Sequence, residues 1–454
     1  MEKKELRLQI VNLHAAGIDV GSRSHVVAVD QRQENVRSFG VYTRDHEKLI
    51  AHLREQKVTS VAMESTGSYW QTLFSSLQRA GFQVILIGGS QSKNVRGRKT
   101  DVIDAIWIQK LHSLGLLSGS FLLTDTLQEL RTYYNHRQHL IQQSKTYILK
   151  MQKSLRLMNI RLDVVLRDIT GVSGLAIIEA ILAGQRDPHK LSTLVNNKVK
   201  RSKEEIAASL HGAWRDELIF ELRECLRLYR MYQSLLLECD KIMEGLLLKY
   251  TPEVPVSVED EKILRGNYKN RAKNAIRFDI VKLSYQCFGT DLFAVSGISH
   301  NTVLCLMTNL GKDIHKFPTA KSFASWLRLV PNNKISGGKV ISSRTPRGKS
   351  TIANTLRQVA NSIGNLKDHD LTPFFKRIAY RKGRVAAITA TARKLAVILW
   401  NMITKVQPYR KAEVCQNNEK LRRIQLQNVR KRIHALDLTL EEMSKLFRTG
   451  PLPT

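Results

Sequence analysis

Short apolar runs alternate with amphipathic stretches over residues 14–125, which is the pattern of a domain that contains both strands and helices. The apolar runs that predict β-strands lie near 16–20, 25–30, 36–42, 59–63 and 83–87. The stretches that predict helices lie near 45–55, 68–80 and 101–113. Gly81 and Gly115 follow two of these helices, where the chain needs a residue that tolerates positive φ.

The order of these elements predicts a fold for the first part of the chain. A β-meander followed by alternating helices and strands is the order of ribonuclease-H-like domains. We therefore expect an α/β domain over residues 14–125, followed by mainly helical regions.

Two later segments, 127–162 and 218–250, repeat apolar residues every three or four positions. In the first segment, Arg137 and Ser144 occupy two positions of the otherwise apolar seam, whereas every seam position of the second is apolar or aromatic. Repeats sustained over this length predict long coiled-coil helices that pair as an antiparallel hairpin, as a seam between two copies, or as both.

Further segment boundaries are predicted from composition and from the positions of proline and glycine. A helical insertion is expected over 163–215 within a coiled-coil region that covers 126–250. The remaining predicted segments are a polar linker or insertion over 251–290, a mainly helical domain over 291–403 with an irregular interruption near 331–349, and a basic helical tail over 404–454.

Two glycine-containing strings open apolar helices within these regions. They are Ile169-Thr170-Gly171-Val172-Ser173-Gly174 and Ala294-Val295-Ser296-Gly297-Ile298-Ser299. Such a string can present backbone N–H groups to a phosphate. It is equally explained as a tight turn between helices, and both interpretations stay open here.

The charge of the chain changes the picture of its partners. Its 454 residues include 72 Lys and Arg against 40 Asp and Glu, a formal net charge of +32. A field this positive favours a polyanion such as nucleic acid. No apolar run approaches the length of a membrane span, so we expect no membrane partner and a cytoplasmic location. The five cysteines form no CxxC pair, which argues against disulfides and a zinc knuckle.

Four acidic residues stand out against this basic background. Asp19 and Glu64 each end an apolar run, and Asp101 and Asp104 lie three apart at the start of a predicted helix. Carboxylates three apart on a helix share one face. Carboxylate oxygens are the ligands that hard cations such as Mg²⁺ prefer, so the four residues are candidate metal ligands.

A second candidate site lies in the C-terminal half, where positions 314–367 contain no Asp or Glu. After them, only Asp368 and Asp370 interrupt the acid-free run before Glu413. Within 314–367, the Gly- and Ser-rich stretch 335–350 holds Ser336 among several cations. A serine in such surroundings can attack a phosphodiester while Arg and Lys stabilise the developing charge. The alternative is a loop serine that hydrogen-bonds the backbone.

Several motifs resemble one family. Gly17-Ile18-Asp19-Val20, Met63-Glu64-Ser65-Thr66-Gly67 and Lys99-Thr100-Asp101-Val102-Ile103-Asp104-Ala105 resemble the signature of the DEDD transposases. Phe317-Pro318-Thr319-Ala320, Leu329-Val330-Pro331 and Ser336-Gly337-Gly338-Lys339 resemble the second domain of the same family. The members are bridge-RNA-guided insertion-sequence recombinases, similar to the Piv DNA invertases.

The resemblance implies a RuvC-like domain over 14–125, in which Asp19, Glu64, Asp101 and Asp104 bind Mg²⁺ or Mn²⁺. It implies that Ser336 of the C-terminal transposase domain bonds covalently to DNA. The partners it implies are donor and target double-stranded DNA, a structured guide RNA, and further copies of the chain in a dimer or tetramer. The host would be bacterial or archaeal, with the protein on the nucleoid.

Basic residues near these motifs are the expected nucleic-acid contacts. They are Lys99, Lys339, Arg344, Arg347 and Lys349.

Three other functions stay open at this stage. The first is a site-specific DNA invertase that uses no guide RNA. The second is a non-catalytic RNA- or DNA-binding protein with a RuvC-like fold. The third is an actin-like ATPase or sugar kinase, because Gly17-Ile18-Asp19-Val20-Gly21-Ser22 also resembles the first phosphate loop of those enzymes. The other nucleotide-binding loops of that class are not found, and a charge of +32 is unusual for it.

Overall fold

A computed structural model describes most of the chain. The described residues are 9–92, 100–252, 273–346, 348, 350–367 and 370–410, with 422–423, 426–427, 429–430 and 433–436. The chain divides into two compact units, Met1–Leu122 and Leu123–Thr454. The expected basic tail over 404–454 lies largely outside the described residues.

Unit 1 is built on a five-stranded mixed sheet. Its strands are β1 Ala15–Val20, β2 His25–Ala28, β3 Arg37–Phe39, β4 Ser60–Glu64 and β5 Gln83–Ile87. The strand order is β3-β2-β1-β4-β5, in which β1, β2 and β3 form an antiparallel meander and β4 and β5 run parallel to β1. This topology is consistent with the expected ribonuclease-H-like fold.

Four α-helices accompany the sheet in the described part of unit 1. They are α1 Thr43–Glu55, α2 Trp70–Arg79, α3 Gly89–Ser92 and α4 Asp101–Ser113. Alternate strand residues such as Ile18 and Met63 point to one face and pack with Leu49 and Leu73 of α1 and α2 in a closed core. The opposite face is covered by α4, whose Ala105 and Ile108 pack against it. The two faces differ because successive strand side chains alternate.

Unit 2 begins with two long helices that lie antiparallel. These are α5 Asp125–Leu157 and α10 Asp216–Tyr250. Ser154 donates to the Glu221 carboxylate near one end (2.9 Å), and the rings of Tyr147 and Tyr232 stack further along with centroids 5.6 Å apart. The hairpin arrangement of the two predicted helices is therefore present in a single chain.

The predicted insertion forms a small helical cluster at the end of this pair. Its helices are α6 Leu162–Val165, α7 Val172–Leu182, α8 Pro188–Ser192 and α9 Lys203–Ser209. Ile177, Ile178 and Leu191 are fully buried against Met151 and Leu222 of the long helices. The cluster thus shares one core with the antiparallel pair.

Beyond these, the described part of unit 2 contains further α-helices and two β-strands. They are α11 Ile280–Phe288, α12 His300–Asn309, α13 Ala320–Trp326, β6 Lys334–Ser336, β7 Lys339–Ser342, α14 Thr351–Asn365, α15 Thr372–Lys382 and α16 Arg384–Lys405.

Two stretches of unit 2 differ from the sequence-based expectation. Part of the expected linker over 251–290 forms α11, whose Ile280 and Leu283 are buried, because its apolar side chains find partners in the core of the unit. The expected irregular interruption near 331–349 contains an antiparallel hairpin of β6 and β7, because two glycines supply a tight turn between them.

Helix α16 is long and apolar enough to cross a membrane if only its length and composition are considered. It packs against α13, α14 and α15, and it carries Arg393 and Lys394 near its middle. Leu395 and Leu399 are buried. These contacts are those of a core helix in unit 2.

Candidate functional site

The acidic residues of unit 1 lie at one edge of its sheet. Ile18 of β1 pairs with Met63 of β4 in parallel register, so Asp19 and Glu64 follow as neighbours at the carboxyl ends of the two strands. Side chains at matched positions of parallel strands point to the same face. Both carboxylates are half-buried and lie on the face opposite Ile18 and Met63, which is the face that α4 covers.

Gly17 fixes the position of α4 over this face. The Cα of Gly17 lies directly against the backbone of Ala105 and Gln109 in α4, so closely that a Cβ would overlap both. Asp19 is two residues further along β1 and therefore points to the same side as Gly17. The helix crosses the strand at the one position that has no side chain.

The direction of α4 places its first turn over the strand ends. The Gln109 side-chain amide donates to the carbonyl of Ala15 at the beginning of β1 (3.2 Å), and His112 further along the helix hydrogen-bonds Ser60 at the beginning of β4. The helix thus runs opposite to β1 and β4. Asp101 and Asp104 in its first turn lie toward the carboxyl ends of those strands, where Asp19 and Glu64 lie.

A local cap defines the start of α4. The Thr100 hydroxyl accepts a hydrogen bond from the amide of Ile103 (3.4 Å), which is the N-cap arrangement. Asp101 is exposed and Asp104 is half-buried. Acidic residues in the first turn are favourable to the helix through its dipole, so both carboxylates also stabilise the element that carries them.

The four carboxylates supply hard oxygen atoms, which are the donors that a divalent cation prefers. Within the part of the chain that the structure describes, no three His, Cys, Asp or Glu side chains lie close enough together to hold a metal ion. The acids therefore share an edge of the sheet without forming a complete coordination shell.

Ser336 lies in unit 2, at the tip of the β6–β7 hairpin. It ends β6 and pairs with Lys339 across a two-residue turn of Gly337 and Gly338. Both glycines have positive φ, 55° and 73°, which is the geometry of a type I′ turn. Ser336 and its neighbours in both strands are exposed. The hydroxyl is therefore presented on a protruding, solvent-accessible turn.

Two of the five predicted nucleic-acid contacts lie on this hairpin and its base. Lys339 begins β7. Arg344 lies at the base of the hairpin, where its carbonyl accepts a hydrogen bond from the amide of Asn332 (3.0 Å). Lys99, Arg347 and Lys349 lie outside the described residues.

The two glycine strings open helices in the structure. Gly171 precedes α7, and Gly174 packs against the carbonyl of Ile169. In the second string, Ser299 caps α12 by accepting from the amide of Thr302 (3.3 Å), and Gly297 adopts φ 92°. These are the contacts of tight interhelical turns; phosphate binding there stays a prediction.

Buried cysteines take no part in either candidate site. Cys225, Cys239, Cys287 and Cys305 are buried and free. Burial raises the pKa of each thiol, and that of Cys287 rises to about 12. A thiol with a raised pKa is a poor nucleophile at neutral pH, so these side chains serve packing.

Sequence reasoning overlooked four cations in the C-terminal helices. Arg381 and Lys382 of α15 and Arg393 and Lys394 of α16 line, with Arg344, a cavity of about 900 Å³ beside the base of the hairpin. A signal was present, because 371–412 contains no Asp or Glu and the two cation pairs lie on consecutive helices.

Comparison with known proteins gives matches to both halves of the chain. A DEDD model of the IS110 group, described as "Transposase", matches residues 16–160, and the model "Transposase IS116/IS110/IS902 family" matches residues 290–372. The first segment contains the four acids and the second contains Ser336.

A curated relative is the transposase for insertion sequence element IS1111A of Coxiella burnetii (strain RSA 493 / Nine Mile phase I). It is 28% identical over 122 residues, which cover 26% of this chain and 33% of the relative. The chain therefore spans about a third of the length of the curated relative that it matches.

Proposed function

Because this chain belongs to the IS110 family of transposases, we propose that it cuts and rejoins DNA strands as the recombinase of an insertion sequence. One observation supports this most directly. Asp19 and Glu64 end neighbouring parallel strands beneath the helix whose first turn carries Asp101 and Asp104, so four carboxylates share one edge of a ribonuclease-H-like sheet.

The metal part of the proposal rests on donor chemistry. Asp19, Glu64, Asp101 and Asp104 would hold Mg²⁺ or Mn²⁺, which supplies charge stabilisation to a phosphate under attack. The exposed Asp101 and the half-buried Asp19, Glu64 and Asp104 all have access to solvent, and hence to a substrate phosphate.

The proposed covalent step uses Ser336. Its Oγ attacks the phosphorus of a DNA phosphodiester and forms an Oγ–P bond, while the bond from phosphorus to one deoxyribose oxygen breaks. The Oγ proton is passed on to that leaving oxygen as a DNA hydroxyl forms. Attack by a hydroxyl of another DNA strand reverses the step, so strands are exchanged with no net loss of ester bonds and no ATP.

Cations near Ser336 support this chemistry. Lys339 faces Ser336 across the turn, and Arg344 lies at the base of the same hairpin. Positive charge close to the phosphate stabilises the negative charge that develops in the transition state. Lys99, Arg347 and Lys349 complete the proposed set of backbone contacts.

The proposed partners are donor and target double-stranded DNA and a structured guide RNA, with the chain acting in the cytoplasm as a homodimer or homotetramer. Base pairing with the guide would select the sequence, while protein contacts to the backbone position the strands. Sequencing of RNA that co-purifies with the chain tests this part. One discrete bound RNA supports a guide, whereas a heterogeneous pool supports an invertase that uses none.

The nucleophile is tested with Ser336→Ala. We expect strand exchange on a supercoiled substrate to be lost, with DNA affinity within about twofold of the wild-type value, because the change removes only one hydroxyl from an exposed turn. Ser325→Ala, which removes an exposed hydroxyl from α13, is the matched control and should exchange strands normally. Recombination by Ser336→Ala would assign the attack to another group.

The acidic cluster is tested with Asp101→Asn, which keeps the size of the side chain and removes its charge. We expect strand exchange to fall by roughly a hundredfold or more. We expect wild-type activity to require added Mg²⁺ or Mn²⁺. Full wild-type activity in excess chelator would contradict the metal assignment and leave the serine assignment standing.

A further inference from the structure

A groove in unit 2 lies between α15, α16 and the base of the β6–β7 hairpin, with a volume of about 900 Å³. Its floor is apolar and half-buried. Phe374 and Ile378 come from α15, and Ala390 and Val397 come from α16. A concave apolar surface of this size is suited to an organic ligand or to a flat ring, because it removes such groups from water.

The small side chains of α16 keep the groove open. Ala386 lies one helical turn before Thr389 and Ala390 on the side of α16 that lines the groove, where longer side chains would fill the space. Val385, which lines the groove, is 80% exposed, and Tyr380, which precedes the lining residue Arg381 in sequence, is 88% exposed. Large apolar surface left open beside a cavity indicates a site that binds a partner.

The rim of the groove is positively charged. Arg344, Arg381, Lys382, Arg393 and Lys394 all line it, and the described lining residues include no carboxylate. The Lys394 ammonium lies 4.7 Å from the centroid of the Phe374 ring, and the Arg377 guanidinium lies 5.6 Å from the same centroid. Cations stacked beside an aromatic floor can hold a phosphate while a flat ring packs on the apolar surface.

We propose that this groove binds unpaired nucleotides, with the bases against the apolar floor and the phosphates on the cationic rim. A fully paired duplex offers mainly phosphates and groove edges, which would leave the apolar floor unused. An unstacked base offers the flat apolar face that the floor requires. The proposal deepens the proposed function and rests on it for the choice of nucleic acid as the partner.

Charge complementarity disfavours the other occupants. The segment 411–454 contains more Lys and Arg than Asp and Glu, so it would be repelled by a rim of five cations. A second copy of a chain with a net charge of +32 is disfavoured for the same reason. A polyanion is attracted by the cationic rim. Only a nucleic acid with unpaired bases can also pack against the apolar floor.

The experiment measures binding rather than strand exchange. Full-length Ser336→Ala protein is titrated with three fluorescent oligonucleotides, which are a single-stranded DNA, an RNA of the same sequence and the blunt DNA duplex. The first groove variant, Arg381→Gln with Arg393→Gln, removes two rim charges. The second, Ala390→Leu, fills the floor and leaves every charge in place.

Lys376→Gln with Lys405→Gln is the matched control. It removes two charges from exposed positions of the same two helices that do not line the groove. Thermal unfolding of each variant checks that it is folded. The charge pair and the floor variant are independent, so the test stands if one of them does not fold.

We expect both groove variants to lower affinity for single strands by roughly tenfold, while affinity for the duplex falls no further than in the control. Tighter binding of RNA or of single-stranded DNA identifies the source of the unpaired nucleotides. An equal loss for duplex and single strand, or normal single-strand binding by a folded Ala390→Leu protein, overturns the proposal. Neither result bears on Ser336 or the acids, because strand exchange is not measured.

Discussion

Gly17 is the residue on which the geometry of the acidic edge depends. A Cβ at this position would overlap the amide nitrogen of Gln109 and the carbonyl oxygen of Ala105, both of which belong to the backbone of α4. Backbone atoms of a helix cannot move aside as a flexible side chain can. The close crossing therefore requires glycine.

We expect Gly17→Ala to lower the free energy of unfolding of unit 1 by about 3 kcal/mol, because α4 must move away from β1. Strand exchange should fall further than stability alone explains, since α4 carries Asp101 and Asp104. Urea denaturation and a strand-exchange assay measure the two effects. Gly245→Ala is the control, because open space surrounds this helical glycine and the change should stabilise by at most about 1 kcal/mol. Equal stability of Gly17→Ala and wild type would contradict the crossing.

Three histidines of unit 1 are buried with ring nitrogens that make no hydrogen bond. His25, His46 and His52 are at most 6% exposed. Burial lowers the pKa of His25 to about 4, helped by the nearby His46 ring. Burial also lowers the pKa of His46, against the attraction of Asp45, and that of His52, where Arg37 acts with burial and Glu55 against it. These side chains are neutral in the folded unit near neutral pH.

This burial predicts a loss of stability in acid. In the unfolded chain each histidine binds a proton near pH 6.5, whereas folded His25 does so only near pH 4. Between these values the unfolded state binds more protons, so the free energy of unfolding falls as pH falls, by at most about 1.4 kcal/mol per pH unit for each histidine. Below pH 4 His25 is protonated in the folded state as well. Its effect on the free energy of unfolding then no longer changes with pH. Urea midpoints measured between pH 7 and pH 4.5 check this.

The matched variant is His25→Gln, which keeps a polar side chain and removes the titration. We expect a shallower decline than in the wild type over the same pH range. An unchanged slope would mean that His25 is protonated equally in the folded and unfolded states.

At the residue scale, the sequence pattern predicts four acids as metal ligands, but it gives no reason for the position of α4. Asp19 and Glu64 are candidates because each ends an apolar run, and Asp101 and Asp104 because their spacing shares a helix face. Gly17 gave no such signal, since its requirement comes from a helix that follows more than eighty positions later. Contacts that are distant in sequence decide the role of a glycine, and local patterns do not contain them.

Among the elements, the antiparallel pair of α5 and α10 contains a buried ion pair. Arg137 Nε donates to Asp240 at 2.5 Å, and both side chains are at most 2% exposed. The same guanidinium donates to the carbonyl of Asn274 (3.1 Å), and the amide of Arg277 donates to Asp240 (3.3 Å). The pair thus joins the two long helices to the segment that leads into α11.

Removal of either Arg137 or Asp240 alone should lower the free energy of unfolding far more than removal of both. We expect Arg137→Met or Asp240→Leu alone to lower the free energy of unfolding by about 3–5 kcal/mol, because each leaves a buried charge without its partner. The double variant should recover most of this loss. Chemical denaturation of the four proteins gives the coupling energy. Additive losses in the double variant would show that the two charges do not depend on each other.

The elements were predicted well where an apolar repeat extends over many residues. They were predicted poorly where a two-residue turn determines the structure. The two long helices followed from their apolar seams, although Leu247 is buried where the seam predicted Leu246. An α-helix has 3.6 residues per turn, so a strict seven-residue repeat drifts around it over this length. An irregular interruption is predicted around Ser336 from the sequence, although a Gly-Gly pair between stretches that mix polar and apolar residues is typical of a two-residue β-hairpin turn.

For the whole molecule, charge sets the conditions under which binding can be measured. With a net charge of +32 and a groove rim of five cations, most DNA affinity should come from phosphate contacts that release counterions. We expect affinity for non-cognate DNA to fall by roughly a thousandfold between 50 and 200 mM salt. Fluorescence anisotropy at several salt concentrations measures the slope. A nearly flat dependence would mean that contacts other than phosphates dominate.

Charge alone predicts a polyanion as the partner of the whole chain, because composition needs no knowledge of the fold. It did not predict the groove between α15 and α16. The cations of that groove are separated in sequence by the turn at Gly383 and become neighbours only when the two helices pack. The acid-free stretch is visible in the sequence, but its cations line a concave site only after α15 and α16 have packed together.

Unit 1 is continuous in the sequence, and this has a consequence for the order of events on the ribosome. The chain is made from its first residue onward, and domains fold as units while synthesis continues. All strands of the sheet and all four acids lie before Leu122, so this part can fold while Ser336 has not yet been translated. A nascent chain would thus acquire its carboxylate edge before the proposed nucleophile, and the proposed covalent step on DNA would have to wait until translation had passed the hairpin.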